Sequence, residues 1–388
     1  MRWPTICRRF TRFDPSSGAS DSLAMTTPKS TYKLALLPGD GIGIEVAAEA
    51  RALLDRITAA IGIGFAIDEI PCGGKYFLDH GTRDWPEDAS ARCRAADAIL
   101  LGAVGWNGPD GKPATMANGK MAGHSAVIGN RIELDLYANI RPVRCLPGTK
   151  HRLAGTFAPV WQPSEVDMVI VRENTEDLYA GLEHQVVPGV VESLKIITEK
   201  ASTRIARFAF EYARKHGRRK VTSIHKANIM KLSDGLFIDS ARAVSRDFPD
   251  IAYDEKIVDA ACMHLVMKPE QFDVLVMPNL YGDIVSDLCA GLVGGLGVVG
   301  AANLGADVGV FEAVHGSAPD IAGKNFANPT ALLLSAVLML RHIDEGAAAD
   351  RIVAALNRVM ESGTARTRDL GGTASTFEFA DAVCRALA

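Results

Sequence analysis

FDVLVMPNLYGDIVSDL, residues 272–288, joins a short apolar strand to a helical segment that carries Asp283 and Asp287 one turn apart. Two like charges at this spacing repel each other on a helix by roughly 0.2–0.5 kcal/mol. A solvated helix face would explain an isolated pair. This pair instead follows the end of an apolar strand, where α/β enzymes keep their sites. The stretch therefore predicts an α/β fold with a cation between the two carboxylates.

Four further apolar segments repeat the strand pattern, at 31–39, 96–104, 166–174 and 220–228. Helix-like segments separate them. Because these strands are bulky and do not alternate with polar residues, we expect a sheet that is covered on both faces. The glycines after the first strand do not follow the G-x-G-x-x-G spacing, so a classical dinucleotide-binding fold is not expected.

Helical periodicity is clearest at 203–217 and 233–248, and it recurs at 346–363 and 376–388. Ser233 and Asp234 are candidates to cap the second of these helices. The apolar run at 331–340 is about half as long as a bilayer requires and is typical of a core helix.

Composition excludes several classes of protein. The chain has 388 residues, 48% of them hydrophobic, which is enough for two domains or one large α/β unit. A net charge of -4 provides no basic surface for nucleic acid or an anionic membrane. The seven cysteines show no metal or disulfide spacing, which favours a reducing compartment. Residues 1–29 are expected to be disordered or a targeting tail, and the first expectation for location is cytoplasmic.

Three arginines occur in the middle of the chain: Arg131, Arg141 and Arg172. Guanidinium groups bind carboxylates through two parallel hydrogen bonds, so three that converge would hold a substrate with more than one carboxylate. Each could equally be a partner in a surface salt bridge.

Tyr179 follows Arg172 by seven residues, while Lys226 and Asn228 lie at the end of another strand. A lysine and a tyrosine beside acidic groups can carry protons. Lys226 could also extend to solvent, Asn228 could cap a helix and Tyr179 could be ordinary core. Asp259 is a third candidate metal ligand, or an exposed acid at a helix start. Three carboxylates suit Mg²⁺ or Mn²⁺.

The segment 311–331, FEAVHGSAPDIAGKNFANPTA, is rich in small residues and proline and contains His315, Asp320 and Asn328. We expect an irregular binding loop. Small residues let backbone amides approach an adenine or a pyrophosphate, and a carboxylate can accept from both ribose hydroxyls. A surface loop with its polar groups in water is the alternative.

Six segments taken together resemble the β-decarboxylating dehydrogenases, the family of isocitrate and 3-isopropylmalate dehydrogenases. They are LLPGDGIG, DLYANIRPVR, RENTEDLYAG, HKANIM, NLYGDIVSDL and VHGSAPDIAGKNFANP, in order from about residue 32 to the C-terminus. The amino-acid sequence is most similar to those of NAD-dependent isocitrate dehydrogenases.

The resemblance implies a two-domain isopropylmalate dehydrogenase-like α/β fold with a large mixed sheet flanked by helices, distinct from the Rossmann type. Residues 30–136 and 294–388 would form the large, cofactor-binding domain, and 137–293 the small domain with a dimer clasp. A homodimer or higher homo-oligomer would share its active sites between subunits.

The resemblance also implies the roles of individual residues. Arg131, Arg141 and Arg172 would hold the substrate carboxylates, with Ser125 and Asn228 as further substrate contacts. Mg²⁺ or Mn²⁺ would be bound by Asp283, Asp287 and Asp259 of the neighbouring subunit. The catalytic residues would be Tyr179, which supplies a proton, and Lys226, also of the neighbouring subunit. The cofactor residues would be His315, Gly316, Ser317, Ala318, Asp320 and Asn328.

The implied reaction is NAD-dependent oxidative decarboxylation of a malate-type acid, first of all isocitrate to 2-oxoglutarate. Asp320 and Ile321 stand where NADP-using relatives carry Lys and Tyr, which favours NAD.

One segment departs from the isocitrate pattern. HSAVIGNR, residues 124–131, places Ser125 as expected but has Val127 where asparagine would bind the γ-carboxylate, followed by Ile128. The loss of a hydrogen-bond partner for a carboxylate is costly. 3-Isopropylmalate, tartrate and D-malate are therefore alternative substrates. A non-catalytic regulatory subunit is a further alternative, and a mitochondrial matrix location is expected if the tail is a transit peptide.

Overall fold

A computed structural model describes residues 29–108 and 110–387. The tail expected at 1–29 lies outside these residues except for Lys29, whose ammonium group contacts Asp97 at 2.7 Å. The expectation of disorder or targeting in this tail stays a prediction.

Fourteen strands occur in the described residues, and we number them in chain order. Strands β1 to β14 span Thr31–Gly39, Gly64–Glu69, Ala98–Ala103, Ala138–Arg144, His151–Leu153, Thr156–Ala158, Asp167–Glu173, Glu183–Val187, Val190–Ser193, Lys220–His225, Ala252–Ile257, Val274–Met277, Gly300–Leu304 and Gly309–Ala313.

Eleven α-helices occur in the same residues. Helices α1 to α11 span Ile42–Ile61, Gly74–His80, Ala89–Ala95, Asn130–Glu133, Glu199–Lys215, Ser233–Ser245, Val258–Met267, Asn279–Leu292, Thr330–His342, Gly346–Ser362 and Thr376–Ala386. A π-helical turn at Ser125–Gly129 leads into α4, and a 3₁₀ turn at Leu178–Ala180 follows β7.

Ten strands form one sheet in the order β11-β10-β12-β7-β4-β13-β14-β3-β1-β2. β4 is antiparallel to both of its neighbours, and β13 is antiparallel to both of its own, while the outer pairs are parallel. The prediction of a large mixed sheet is therefore confirmed. The two hairpins β5-β6 and β8-β9 lie outside this sheet.

Burial agrees with the sequence pattern of the strands. Every residue of β3 and β12 is buried, as are six of the seven residues of β7. Helices pack on β1, β3 and β7, and α9 packs on β13 and β14. Within the described residues, no helix is both long and apolar enough to cross a bilayer.

One local expectation is wrong and a second holds for only part of its segment. Ser233 is the first residue of α6 and Asp234 lies inside it, so neither caps the helix. The Asp234 carboxylate instead accepts hydrogen bonds from Lys195 Nζ at 2.7 Å and from the Lys226 backbone N–H at 2.6 Å. The segment 311–331 is not irregular throughout, because its first three residues end β14 and Thr330 begins α9.

Candidate active site

The three arginines are buried side chains, so the surface salt-bridge alternative is wrong for all of them. Arg131 is 8% exposed, Arg141 5% and Arg172 1%. They line one cavity of about 250 Å³ together with Tyr179 and Asp283. Buried cations are costly unless paired and hydrogen-bonded, so a cavity with three of them is suited to an anionic ligand.

Asp283 lies between two of these groups. Its Oδ1 contacts Arg172 Nη1 and lies 3.5 Å from Arg141 Nη2, while its Oδ2 accepts from the Tyr179 hydroxyl at 2.5 Å. Burial raises the pKa of the Asp283 carboxyl, but the charge of Arg172 and the hydrogen bond from Tyr179 outweigh it and hold that pKa below its usual value.

Asp287, one helical turn further along α8, has weaker partners. Its Oδ1 lies 3.5 Å from Arg141 Nη1. Burial and the neighbouring charge of Asp283 raise the pKa of the Asp287 carboxyl, although Arg141 opposes them. A divalent cation between the two carboxylates would relieve this repulsion, so these residues fit the predicted metal ion.

A single chain does not complete the predicted three-carboxylate site. No group of three or more His, Cys, Asp or Glu side chains that could hold a metal ion occurs among residues 29–108 and 110–387. Asp259 lies in the first turn of α7 and contacts Lys226 Nζ rather than α8. Its carboxyl pKa is lowered chiefly by that hydrogen bond.

Lys226 and Asn228 lie in the turn directly after β10. Lys226 is paired with Asp259 and does not simply extend into solvent. In the described part of the chain, no hydrogen bond links Lys226 to Tyr179. Burial and the hydrogen bond to Asp283 raise the pKa of the Tyr179 hydroxyl, so it stays protonated at neutral pH.

Ser125 begins the π-helical turn, and its backbone N–H donates to Asp84 Oδ2 at 2.9 Å. The same oxygen accepts from the Gly123 backbone N–H at 2.9 Å. The turn places the side chain of Val127 in the lining of the arginine cavity, together with Val104. Ser125 is absent from that lining.

The candidate cofactor loop packs against the turn between β1 and α1. The carbonyl of Ser317 accepts from the Ile42 backbone N–H at 2.9 Å, and a Cβ at Gly41 would lie only 2.1 Å from that oxygen. Glycine is therefore required at 41, where φ is +57° and the two backbones touch. Gly316 and Ala318 flank this contact.

His315 also lines the arginine cavity, and its Nε2 is buried without a hydrogen-bond partner in the described residues. Burial lowers the pKa of its imidazole, so the ring is neutral at pH 7. Asp320 is exposed at the surface. Asn328 donates to Asp369 at 2.9 Å and accepts from the Thr330 backbone N–H at 3.0 Å, so one donor hydrogen and one lone pair of its amide are engaged within the chain, and its cofactor contact stays a prediction.

Sequence reasoning missed three polar residues behind the arginines: Asn139, Asn303 and Glu312. Glu312 is 8% exposed and contacts Arg131 at 3.1 Å. A single charged residue in the otherwise apolar strand GVFEA was a signal that could have identified it. Asn303 carried no comparable signal, since it lies among small residues in a short segment. Asn139 lies inside the quoted segment DLYANIRPVR, where only the arginine was singled out.

Comparison with known proteins gives consistent matches. A family model described as isocitrate/isopropylmalate dehydrogenase matches residues 33–383. The mitochondrial NAD isocitrate dehydrogenase catalytic subunit 5 of Arabidopsis thaliana is 48% identical over 373 residues, covering 95% of this chain and 92% of that protein. A mitochondrial NAD isocitrate dehydrogenase chain of Dictyostelium discoideum, named as regulatory, is 45% identical over 351 residues, covering 90% of each.

Among solved structures, the isocitrate dehydrogenase from Methylococcus capsulatus matches with a TM-score of 0.80 at 40% identity, covering 92% of this chain and 99% of that chain. The sequence resemblance and the fold class are thereby confirmed.

Proposed function

The chain belongs to the isocitrate/isopropylmalate dehydrogenase family, a family of decarboxylating dehydrogenases, and we propose that it oxidises and decarboxylates isocitrate to 2-oxoglutarate with NAD and a divalent metal ion. This is a reaction of the tricarboxylic acid cycle. One observation carries the proposal: three buried arginines, Tyr179 and Asp283 line the same small cavity.

The arginines supply binding energy and orientation. Arg131 Nε is buried without a hydrogen-bond partner in the described residues, so it is a donor open to a substrate carboxylate. Arg141 Nε is held by Asn139 at 3.0 Å and Arg172 Nε by Asn279 at 2.9 Å. Their guanidinium planes are therefore fixed before substrate binds, which lowers the entropic cost of positioning it.

Asp283 and Asp287 of one chain, with Asp259 of a second copy, would hold Mg²⁺ or Mn²⁺. When bound, such an ion would act as a Lewis acid toward the oxygen at C2 and stabilise the negative charge that decarboxylation leaves behind. Lys226 of the second copy would assist removal of the C2 hydroxyl proton. Tyr179, protonated at neutral pH, would deliver the proton that completes the product.

His315 and the loop around Ser317 would hold NAD, and the chemistry that NAD would supply there is acceptance of a hydride from C2. Because His315 Nδ1 donates to the Gly316 carbonyl at 3.0 Å, the Nε2 of the neutral ring is a buried acceptor without a partner in the described residues, and a cofactor hydroxyl would satisfy it. Asp320, exposed at the mouth of the loop, would accept from ribose hydroxyls and repel a 2'-phosphate.

We propose a homodimer as the smallest active unit. The hairpin β8-β9 is exposed along its whole length and carries Val187, 52% exposed, and Val191, 64% exposed. Helix α7 likewise exposes Met263 and Met267. A second copy would cover these apolar surfaces and bring its own Lys226 and Asp259 to the cavity. Size-exclusion chromatography with light scattering tests this, and a monomer that retains full activity would contradict it.

We propose the division into a large domain, 30–136 plus 294–388, and a small domain, 137–293, because the chain belongs to this family.

For location, the Arabidopsis and Dictyostelium relatives are mitochondrial by name, which favours the mitochondrial alternative over the cytoplasmic expectation. Imaging the full chain and a chain that lacks residues 1–24, each fused to a fluorescent protein, tests whether the tail directs import.

A second candidate substrate is favoured by Val127. This side chain and Val104 give the cavity an apolar wall beside Arg131, where a γ-carboxylate of isocitrate would need a hydrogen-bond donor. An acid with an apolar β-substituent, such as 3-isopropylmalate, would fit that wall.

A panel assay decides between the candidates. NADH formation is followed with isocitrate, 3-isopropylmalate, D-malate and tartrate, each with Mg²⁺, with Mn²⁺ and with a chelator. The proposal predicts the highest kcat/KM for isocitrate and no turnover with the chelator. A higher kcat/KM for 3-isopropylmalate would replace the substrate. No turnover of any acid, with citrate or a nucleotide still bound, would indicate a regulatory subunit.

A further inference from the structure

A continuous chain of buried hydrogen bonds joins Arg131 to Arg141. Arg131 Nη2 donates to Glu312 Oε1 at 3.1 Å, and Asn303 Nδ2 donates to the same oxygen at 2.8 Å. Asn139 Nδ2 donates to Asn303 Oδ1 at 2.7 Å, and Arg141 Nε donates to Asn139 Oδ1 at 3.0 Å. None of the five residues is more than 8% exposed.

Asn303 lies at the centre of this series of hydrogen bonds, and both polar atoms of its side-chain amide are fully hydrogen-bonded. Its Oδ1 also accepts from Asn174 Nδ2 at 3.0 Å, and its Nδ2 also reaches the Val310 carbonyl at 3.4 Å. A side-chain amide offers two donor hydrogens and two acceptor lone pairs, and all four are engaged. The side chain is therefore held in a single orientation.

Which group donates and which accepts in each of these hydrogen bonds follows from the charged residues at the two ends of the series. Arginine can only donate and an ionised carboxylate can only accept, so both amides must turn their N–H groups toward Glu312. The acceptor strength of Glu312 thereby reaches Arg141 through two amide dipoles, although the carboxylate does not touch that guanidinium. Burial and repulsion by Arg172 lower the pKa of Arg141 to about 10, and Glu312 partly offsets them.

The strand register explains why these residues meet. Asn139 of β4 and Asn303 of β13 are directly opposite each other in an antiparallel pair, and Asn303 is opposite Val310 of β14. Glu312, two residues after Val310, therefore lies on the same face of the sheet. The β4-β13 pair joins the half of the sheet built from residues 138–277 to the half built from the rest of the chain.

We propose that Asn303 is the positioning residue that sets the separation and orientation of the Arg131 and Arg141 guanidinium groups, so that both meet the carboxylates of one substrate molecule. The inference rests on the proposed function, because it takes the two arginines as substrate ligands. It adds a residue that touches neither substrate nor cofactor and acts through Glu312 and Asn139.

The test is Asn303→Asp, which keeps the shape but replaces a donor to Glu312 with a second carboxylate. We expect the KM for isocitrate to rise about 10- to 100-fold, since a misplacement of about 1 Å costs on that order. The dissociation constant of NAD, measured by fluorescence without substrate, should stay at the wild-type value. Asn303→Ser, which retains a donor but is too short to reach both partners, should raise KM less.

Glu312→Gln added to Asn303→Asp supplies the rescue. The Nε2 of the new glutamine would donate to the new carboxylate and its Oε1 would accept from Arg131, so the two bonds that end on one oxygen of Glu312 are divided between two atoms and one of them is reversed. We expect the double variant to bind isocitrate at least about tenfold more tightly than Asn303→Asp alone, which is a coupling that independent sites do not show.

Thr149→Val is the matched control for lost stability. It removes a buried hydrogen bond, from Thr149 Oγ1 to the Leu146 carbonyl at 2.7 Å, outside the cavity lining. It should lower the thermal midpoint and leave KM unchanged. Two results would overturn the inference alone. One is a KM for Asn303→Asp equal to that of the unaltered protein. The other is a double variant whose KM increase equals the product of the increases caused by Asn303→Asp and Glu312→Gln separately. Absence of turnover by the unaltered protein with every acid of the panel would instead overturn the proposed function on which it rests.

Discussion

Tyr179 donates its hydroxyl hydrogen to Asp283 at 2.5 Å, although 104 residues separate them in the chain. The contact links the proposed proton donor to a candidate metal ligand. The Tyr179 ring also lies 4.9 Å from the guanidinium carbon of Arg172, which holds it over the cavity. Proton delivery, charge stabilisation and substrate binding are therefore proposed to share one small set of side chains.

Tyr179→Phe should keep the ring over Arg172 and remove only the hydroxyl. We expect kcat for isocitrate to fall about 10²- to 10⁴-fold, the usual contribution of a positioned general acid, with KM near the wild-type value. Steady-state NADH formation measures both constants. A kcat equal to that of the unaltered protein would remove Tyr179 from the mechanism.

Asp283→Asn should remove most of the metal-dependent turnover, because it takes one negative charge from the proposed cation site. We expect a loss of about 10²-fold or more in kcat, as for other groups that stabilise developing charge, and nearly unchanged NAD affinity. Magnesium should also cease to raise the thermal midpoint. Asp247→Asn, at an exposed pair with Arg207, is the control and should behave as the unaltered protein. Full activity in Asp283→Asn would refute the metal assignment.

Asp320→Lys should improve the use of NADP relative to NAD. The exposed carboxylate would no longer repel a 2'-phosphate, and an ammonium group at this position would attract it. The measurement is the ratio of kcat/KM for the two cofactors at saturating isocitrate. If that ratio does not change, Asp320 does not select the cofactor.

Glu176 should make stability depend on pH. Burial is the largest cause that raises the pKa of this carboxyl from 4.5 to about 7, against hydrogen bonds from Thr198. A raised folded-state pKa contributes stability that is fully present below about pH 4.5 and is lost as the pH rises through about 7. Glu176→Gln should therefore flatten the change in urea midpoint between about pH 5 and pH 8. An unchanged slope would show that this carboxyl does not titrate in that window.

The sequence predicted those elements of the fold that are buried and long enough to show a clear apolar or amphipathic pattern. The apolar strands β3, β7 and β12 and the amphipathic helix α5 are confirmed. It did not identify β13 and β14 as strands, because both are short and the glycines in and around them obscure the pattern. Their place in the sheet is set by pairing with β3 and β4, which are distant in the chain.

The residues of the candidate site were likewise predicted only in part. Motifs identified Arg172, Tyr179 and Asp283, which the structure brings into contact. Asn303 could not be identified, since its importance comes only from the cross-strand register that places it between Asn139 and Glu312. The shared nature of the site was implied by resemblance alone and remains to be tested.

That test is complementation between two inactive chains. Lys226→Ala and Asp283→Asn are produced together with different affinity tags, and the mixed dimer is purified through both tags. In each mixed dimer one cavity combines both substitutions and the other carries neither, so we predict about half the wild-type activity per dimer with isocitrate, NAD and Mg²⁺. A mixed dimer as inactive as its parents would contradict an active site built from two copies of the chain.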